Sequence, residues 1–255
     1  MIVLKTKNEL ETMREAGRIV AKVLLELQER IRPGVTTGEL DKVAAKVLKQ
    51  NGATSPFYNY PNHDPKLKPF PGHICTSVND ELVHGIPGQR VLKEGDIIKI
   101  DCGAVYKGLI GDSAWTFPVG QIGDEARHLL NVTEKALYAS IAMAKPGNRT
   151  GDMSAALQGY VEAHDLNVVR EYTSHGVGRE LHEDPQMPNV GKPGKGAKLR
   201  PGMTIAVEPM VLAGSYKTRV LPDQWTVVAK DGKLTAHFEH TIAITDGEPE
   251  ILTKL

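Results

Sequence analysis

Apolar residues recur at helical spacing over residues 8–31, at Leu10, Met13, Ile19, Val20, Val23, Leu24, Leu27 and Ile31. That period predicts an amphipathic helix. Pro33-Gly34 ends it, and Thr36 or Thr37 caps a second helix running to Asn51-Gly52. From Ser55 to Gly72 the periodicity disappears, and the density of proline predicts an irregular loop. After Glu94-Gly95 the pattern switches to the alternation Asp96-Ile97-Ile98-Lys99-Ile100-Asp101, which predicts a strand. Residues 125–144 return to the helical period.

The chain also repeats itself. Arg32-Pro33-Gly34-Val35-Thr36-Thr37-Gly38-Glu39-Leu40 matches Lys145-Pro146-Gly147-Asn148-Arg149-Thr150-Gly151-Asp152-Met153 at an offset of 113. Leu92 to Asp101 matches Leu199 to Glu208 at an offset of 107. A weaker match sets Asp112-Ser113-Ala114-Trp115-Thr116 against Glu239-His240-Thr241-Ile242-Ala243. Two copies are too few for a solenoid. They predict one α/β domain over residues 1–255, with helix–helix–strand–strand halves of about 1–122 and 123–255 related by a pseudo-two-fold axis.

Composition narrows the class. The 255 residues carry 31 lysines and arginines against 31 aspartates and glutamates, so the formal charge is zero. That balance argues against a dedicated nucleic-acid binder, whose affinity comes from neutralising phosphates. Apolar residues make up 40% and aromatic residues 5%, so the core is expected to be aliphatic. The opening residues are charged from Lys5 onward and lack a signal-peptide core, and no apolar run approaches the ~20 residues of a membrane span. Cys75 and Cys102 stand in no metal-type spacing; two free thiols of a reducing cytoplasm are expected, with a single disulfide as the alternative.

The repeat places Asp101 on Glu208 and Asp112 on Glu239, so four acids converge where the halves meet. If Lys107-Gly108 is a two-residue hairpin turn, Gly103 lies opposite Asp112, and Asp101 shares its face. A one-residue slip would separate them. Taken singly, Asp101 could cap a turn and Asp112 could pair with a lysine. Glu208 and Glu239 lie within apolar strands, where burial with a partner is expected. His175, beside Gly176, is a ligand candidate, but His175 and His182 are seven apart and so do not form the helical zinc motif with its four-residue spacing. Four carboxylates and one imidazole suit two divalent metals about 3.5 Å apart, from manganese, iron, cobalt or zinc rather than copper.

The blocks Val83-His84-Gly85-Ile86-Pro87, Ile100-Asp101 through Gly111-Asp112, His175-Gly176-Val177-Gly178, Leu181-His182-Glu183-Asp184-Pro185, Val207-Glu208-Pro209-Met210 and Phe238-Glu239-His240-Thr241 occur in order over nearly the whole chain. Together they resemble the type I, bacterial-type, methionine aminopeptidases. The resemblance implies the pita-bread α/β (α+β) fold, with two pseudo-two-fold-related halves around a central antiparallel sheet. It implies Asp101, Asp112, His175, Glu208 and Glu239 as metal ligands, with Asp112 and Glu239 bridging two divalent ions (cobalt, manganese, iron, zinc or nickel). Glu208 would be the general base for an attacking water, His182 would stabilise the oxyanion, and His84 would contact the substrate amine or scissile amide. Cys75 and Trp225 match positions of the methionine pocket.

The sequence departs from the shortest bacterial members by extra residues from Asn59 to Pro69, and Leu181 replaces a usual aromatic. The N-terminal zinc-finger extension of eukaryotic type I forms and the internal insertion of type II forms are not seen. The implied activity is removal of the initiator methionine from nascent chains, with a small second residue preferred. The expected setting is cytoplasmic and monomeric, with docking at the ribosomal exit region as a further expectation and with neither specific nucleic acid nor membrane as partner. The competing readings are a proline-directed aminopeptidase or dipeptidase, which needs an extra N-terminal domain, and a non-catalytic binding relative, against which the intact ligand set argues.

Overall fold

A computed structural model describes residues 1–254. Each half begins with two helices. Helix α1 spans Lys7–Gln28 and α2 spans Thr37–Gln50; α3 spans Asp124–Ala142 and α4 spans Thr150–Glu162. Thr36 is the cap of α2: its Oγ1 accepts from Glu39 N at 3.2 Å, while its own N–H donates to the Glu39 carboxylate at 2.7 Å. In α4 the carboxylate half of this exchange recurs, with Arg149 N donating to Asp152 Oδ2 at 2.7 Å. Helix α1 stops short of Ile31, whose N–H still reaches Leu27 O at 3.0 Å and whose side chain packs on the same core.

The first half continues with β1 (Cys75–Val78), β2 (Glu81–Val83), β3 (Ile97–Tyr106) and β4 (Leu109–Pro118). The second adds β5 (Asn167–Val168), β6 (Thr173–Gly176), β7 (Glu183–Pro188), β8 (Thr204–Val207), β9 (Met210–Leu212), β10 (Thr218–Val220), β11 (Val227–Ala229), β12 (Thr235–His237), β13 (His240–Ala243) and β14 (Glu250–Ile251). The ladders are antiparallel, in the orders β1-β3-β4, β10-β11-β2, β12-β9-β5 and β14-β13-β8-β6-β7.

The repeat is visible as equivalent contacts. An isolated bridge joins Thr36 to Val91, and its counterpart joins Arg149 to Lys198, residues related by the two offsets found in the sequence. Each half has its own aliphatic core. Ile19, Val23, Leu27, Leu40 and Leu48 cover Ile98 and Ile100 in the first; Leu129, Leu137, Met153 and Leu157 cover Ile205, Val207 and Ile242 in the second.

Where β4 meets the second half, hydroxyl side chains supplement a sparse ladder. Glu239 N donates to Ala114 O at 2.8 Å, Ser113 Oγ to Glu239 O at 2.5 Å, and Thr116 Oγ1 to His237 O at 2.7 Å. This seam carries the functional strands. Cys75 and Cys102 are both free and buried. Among the described residues, no helix is long and apolar enough to cross a membrane.

Candidate metal centre and substrate cavity

The β3–β4 hairpin sets the first two acids. Lys107 and Gly108 both have positive φ, at 47° and 79°, as a type I′ turn demands. The register that follows pairs Gly103 with Asp112 and Asp101 with Ala114, so both carboxylates project from one face. Gly103 has a tight site of its own, because a Cβ there would lie 2.5 Å from the Pro56 ring.

The second half supplies the rest. His175 lies on β6, Glu208 directly follows β8, and Glu239 occupies the corner between β12 and β13. Glu208 is fixed by its backbone, whose N–H donates to Ser174 Oγ at 2.9 Å. The His175 Nδ1 is 2.9 Å from Gly176 O, an atom that only accepts, so Nδ1 carries the proton and Nε2 keeps its lone pair. Burial holds the His175 pKa down near 4, so the ring is neutral and can act as a ligand. Its Nε2 lies 3.4 Å from Glu208 Oε1.

All five expected ligands line one cavity of about 290 Å³. Asp112, His175, Glu208 and Glu239 are buried and Asp101 is half-buried. No lysine or arginine is among the residues that line it. Burial, and then the neighbouring carboxylates, push Asp101, Glu208 and Glu239 well above the usual carboxyl range; burial pushes Asp112 up to about 7. The buried Oδ1 atoms of Asp101 and Asp112 have no hydrogen-bond partner. Ligand atoms of Asp112, His175 and Glu239 lie within 4.8 Å of one another. Acceptor-only groups crowded together without a donor are costly to bury unless cations neutralise them. Hard oxygens with one imidazole suit first-row divalent ions, so the donor set fits divalent metals.

His84 and His182 lie on the same cavity. His84 adopts a left-handed φ of 60°, and its ring meets Tyr172 edge to face at 5.8 Å. The neighbouring Gly85 has no room for a side chain, since a Cβ would lie 2.2 Å from Thr76 O. The left-handed corner places His84 on the cavity wall. His182 packs edge-on to His175 at 4.4 Å between ring centres.

Beyond the ligand candidates the wall mixes apolar residues with the polar Glu171, Thr173 and Gln186. Cys75 and Trp225 both line it, joined by Phe57, Tyr60, Phe70, Leu181 and Met210. Trp225 stands edge-on to Phe70 at 5.3 Å and donates from Nε1 to Lys68 O at 3.2 Å. The extra loop thus closes one side of the cavity. Phe57, Tyr60 and Phe70 go unassigned from sequence because no periodicity places a proline-rich loop.

His237 was also missed. It is buried at the end of β12, with Nε2 3.3 Å from Glu208 Oε2 and 4.0 Å from Glu239 Oε2. Burial keeps its pKa near 3, so it is neutral, and its buried Nε2 has no hydrogen-bond partner. The available signal is its place two residues before Glu239 in the sequence.

The model of metallopeptidase family M24 matches residues 11–246. Methionine aminopeptidase 1 of Bacillus subtilis is 55% identical over 255 residues, covering all of both chains. The methionine aminopeptidase of Clostridium perfringens is 48% identical over 253 residues, covering 99% of each. The crystal structure of methionine aminopeptidase from Thermotoga maritima superimposes with a TM-score of 0.96 at 46% identity, with both chains fully covered. Prolidase from Pyrococcus furiosus shares the fold at 23% identity and a TM-score of 0.77, with only 66% of its chain covered.

Proposed function

This chain belongs to metallopeptidase family M24, and from that premise we propose that it removes the N-terminal methionine of nascent proteins and peptides. It is a metal-dependent aminopeptidase. The observation that carries the reading is the cluster of four carboxylates beside a neutral histidine, on a cavity that no lysine or arginine lines.

Asp101, Asp112, His175, Glu208 and Glu239 would hold two divalent ions. When bound, these supply Lewis acidity to the scissile carbonyl and acidity to an attacking water. Glu208 takes the water's proton as general base. His182 donates to the carbonyl oxygen as charge develops there, and His84 contacts the substrate's amine or scissile amide. Cys75 and Trp225 bound the side-chain pocket. His237 packs beside the Glu208 carboxylate, with Nε2 3.3 Å from Oε2.

Residues 1–255 act as one catalytic domain with halves near 1–122 and 123–255. The protein works in the cytoplasm as a monomer, where nascent N-termini emerge and the ribosomal exit region is the natural place to meet them. A proline-directed activity is not favoured.

The test is metal analysis after dialysis, followed by assay of a Met-Ala-Ser peptide beside an X-Pro peptide. Metal-dependent release of methionine from the first alone is expected. Preferential cleavage of the X-Pro peptide, or no hydrolysis by metal-replete protein, would overturn it.

A further inference from the structure

The imidazole of His182 has one hydrogen-bond partner among the described residues, the Tyr60 hydroxyl, 2.8 Å from Nδ1. The rings meet edge to face, 81° apart, with centres 5.6 Å apart. Both side chains stand on backbone that is held independently of this contact. Tyr60 N donates to Phe57 O at 2.8 Å, and Tyr60 O accepts from Phe70 N at 2.9 Å. Next to His182, Glu183 accepts from Arg179 N at 2.7 Å and from Glu180 N at 3.3 Å, and its other oxygen pairs with the buried ammonium of Lys5.

A neutral imidazole carries one proton, and the partners of its two nitrogens decide which one holds it. The Tyr60 hydroxyl and His182 Nδ1 can each donate or accept, so one of the two must donate to the other across this contact. A phenol is a better donor than acceptor, and an imidazole lone pair is the better acceptor of the two. The hydroxyl therefore donates to Nδ1. That leaves the ring proton on Nε2, which no described protein group engages, on a ring that lines the cavity.

We propose that Tyr60 is a positioning residue whose hydroxyl holds His182 in the Nε2–H tautomer, so that this N–H faces the substrate's carbonyl oxygen. The inference rests on the role assigned to His182 above and names what makes that role available. The opposite tautomer would aim a lone pair at an oxygen gaining negative charge. Its penalty falls on the transition state, hence on kcat rather than KM.

The experiment is long-range proton–nitrogen correlation spectroscopy of zinc-loaded protein carrying ¹⁵N-histidine, with His182 assigned by comparison with His182→Ala. A protonated-type shift at Nε2 and an unprotonated-type shift at Nδ1 are expected. Tyr60→Phe keeps the ring contact and removes the hydroxyl. It is expected to average the two shifts and to lower kcat on Met-Ala-Ser roughly tenfold, with KM held within about twofold. Phe70→Leu trims the same wall without touching the hydroxyl and should leave the His182 shifts in place.

Three results would overturn the proposal. One is an Nδ1–H tautomer in the unaltered protein. Another is wild-type shifts and kcat in Tyr60→Phe. The third is a Phe70→Leu variant that moves the shifts equally. The nitrogen shifts report the tautomer whether or not the protein cleaves methionyl peptides, so failure of the hydrolase reading is separable from failure of this one.

Discussion

Asp112 and Thr241 exchange two hydrogen bonds across the boundary between the halves: Asp112 N donates to Thr241 Oγ1 at 2.9 Å, and Thr241 Oγ1 donates to Asp112 O at 2.7 Å. One threonine hydroxyl thus performs the work of a ladder pair for the strand that carries a ligand candidate. Both residues are buried. Thr241→Val keeps the shape but orphans a buried N–H and a buried C=O, each costing about 1–3 kcal/mol. Chemical denaturation should show a loss of about 2–4 kcal/mol together with weaker metal affinity, and Thr241→Ser should recover most of both. Unchanged stability in the valine variant would remove the hydroxyl from this role.

Glu208→Gln should leave the fold intact, because the backbone bond to Ser174 Oγ does not involve the carboxylate. Turnover on Met-Ala-Ser should fall about 10²–10⁴-fold in metal-replete assays, the usual loss for a general base. Near-normal turnover would exclude Glu208 as the base.

Chelation should abolish activity without unfolding, and the stability of the metal-free protein should vary with pH in a defined sense. The site carboxyls have folded pKa values raised above their unfolded ones, about 7 for Asp112. The folded state then holds protons that the unfolded chain has released, and stability falls as pH rises. The buried histidines act oppositely. Their pKa values are lowered to about 4 for His84, His175 and His240 and to about 3 for His237, so their term rises with pH up to the ordinary value of 6.5 and is flat above it. Above pH 6.5 the histidine term is flat, and the carboxyl fall is opposed by Lys99, whose pKa burial holds down to about 7 and whose term rises with pH. The Lys99 term is common to both forms, so the gap in melting temperature between metal-loaded and chelated protein should widen between about pH 6.5 and 8. A constant gap over that window would contradict the carboxylate cluster as the source.

Trp225→Ala removes one wall of the pocket and the anchor of the extra loop at Lys68. KM for methionine peptides should rise, and discrimination against leucine should weaken by about tenfold, with metal content unchanged. A panel of Met-X peptides on the unaltered protein should show Met-Ala cleaved far better than Met-Lys. Equal cleavage of the two would deny a tight second subsite.

His237→Ala should lower kcat by about tenfold with little change in KM, because it removes the ring packed beside the Glu208 carboxylate and opens space into which that carboxylate can turn. Full activity would leave His237 a core histidine.

The carboxylate pairs are legible in the sequence because local rules govern them. A two-residue turn with two left-handed positions dictates the Gly103–Asp112 register, and the repeat carries that placement over to Glu208 and Glu239. Helix α2 and its cap are legible for the same reason. Ile31 is misassigned to α1 because its contact with the first core continues the apolar period after the helix itself has ended. His237 and the aromatic wall are set by long-range packing instead. Tyr60 reaches His182 only because residues 59–70 fold back on themselves and against Trp225. No spacing rule encodes that.

The two halves carry separate cores yet divide one ligand cluster between them, Asp101 and Asp112 on one side and His175, Glu208 and Glu239 on the other. Neither half can therefore assemble the cluster on its own, and a change that shifts one half against the other alters the spacing of the acids even where each core stays intact. What stays free to diverge is everything facing away from the shared boundary, and the capping residues already illustrate it, with Thr36 in one copy and Arg149 in the other at the same bridge.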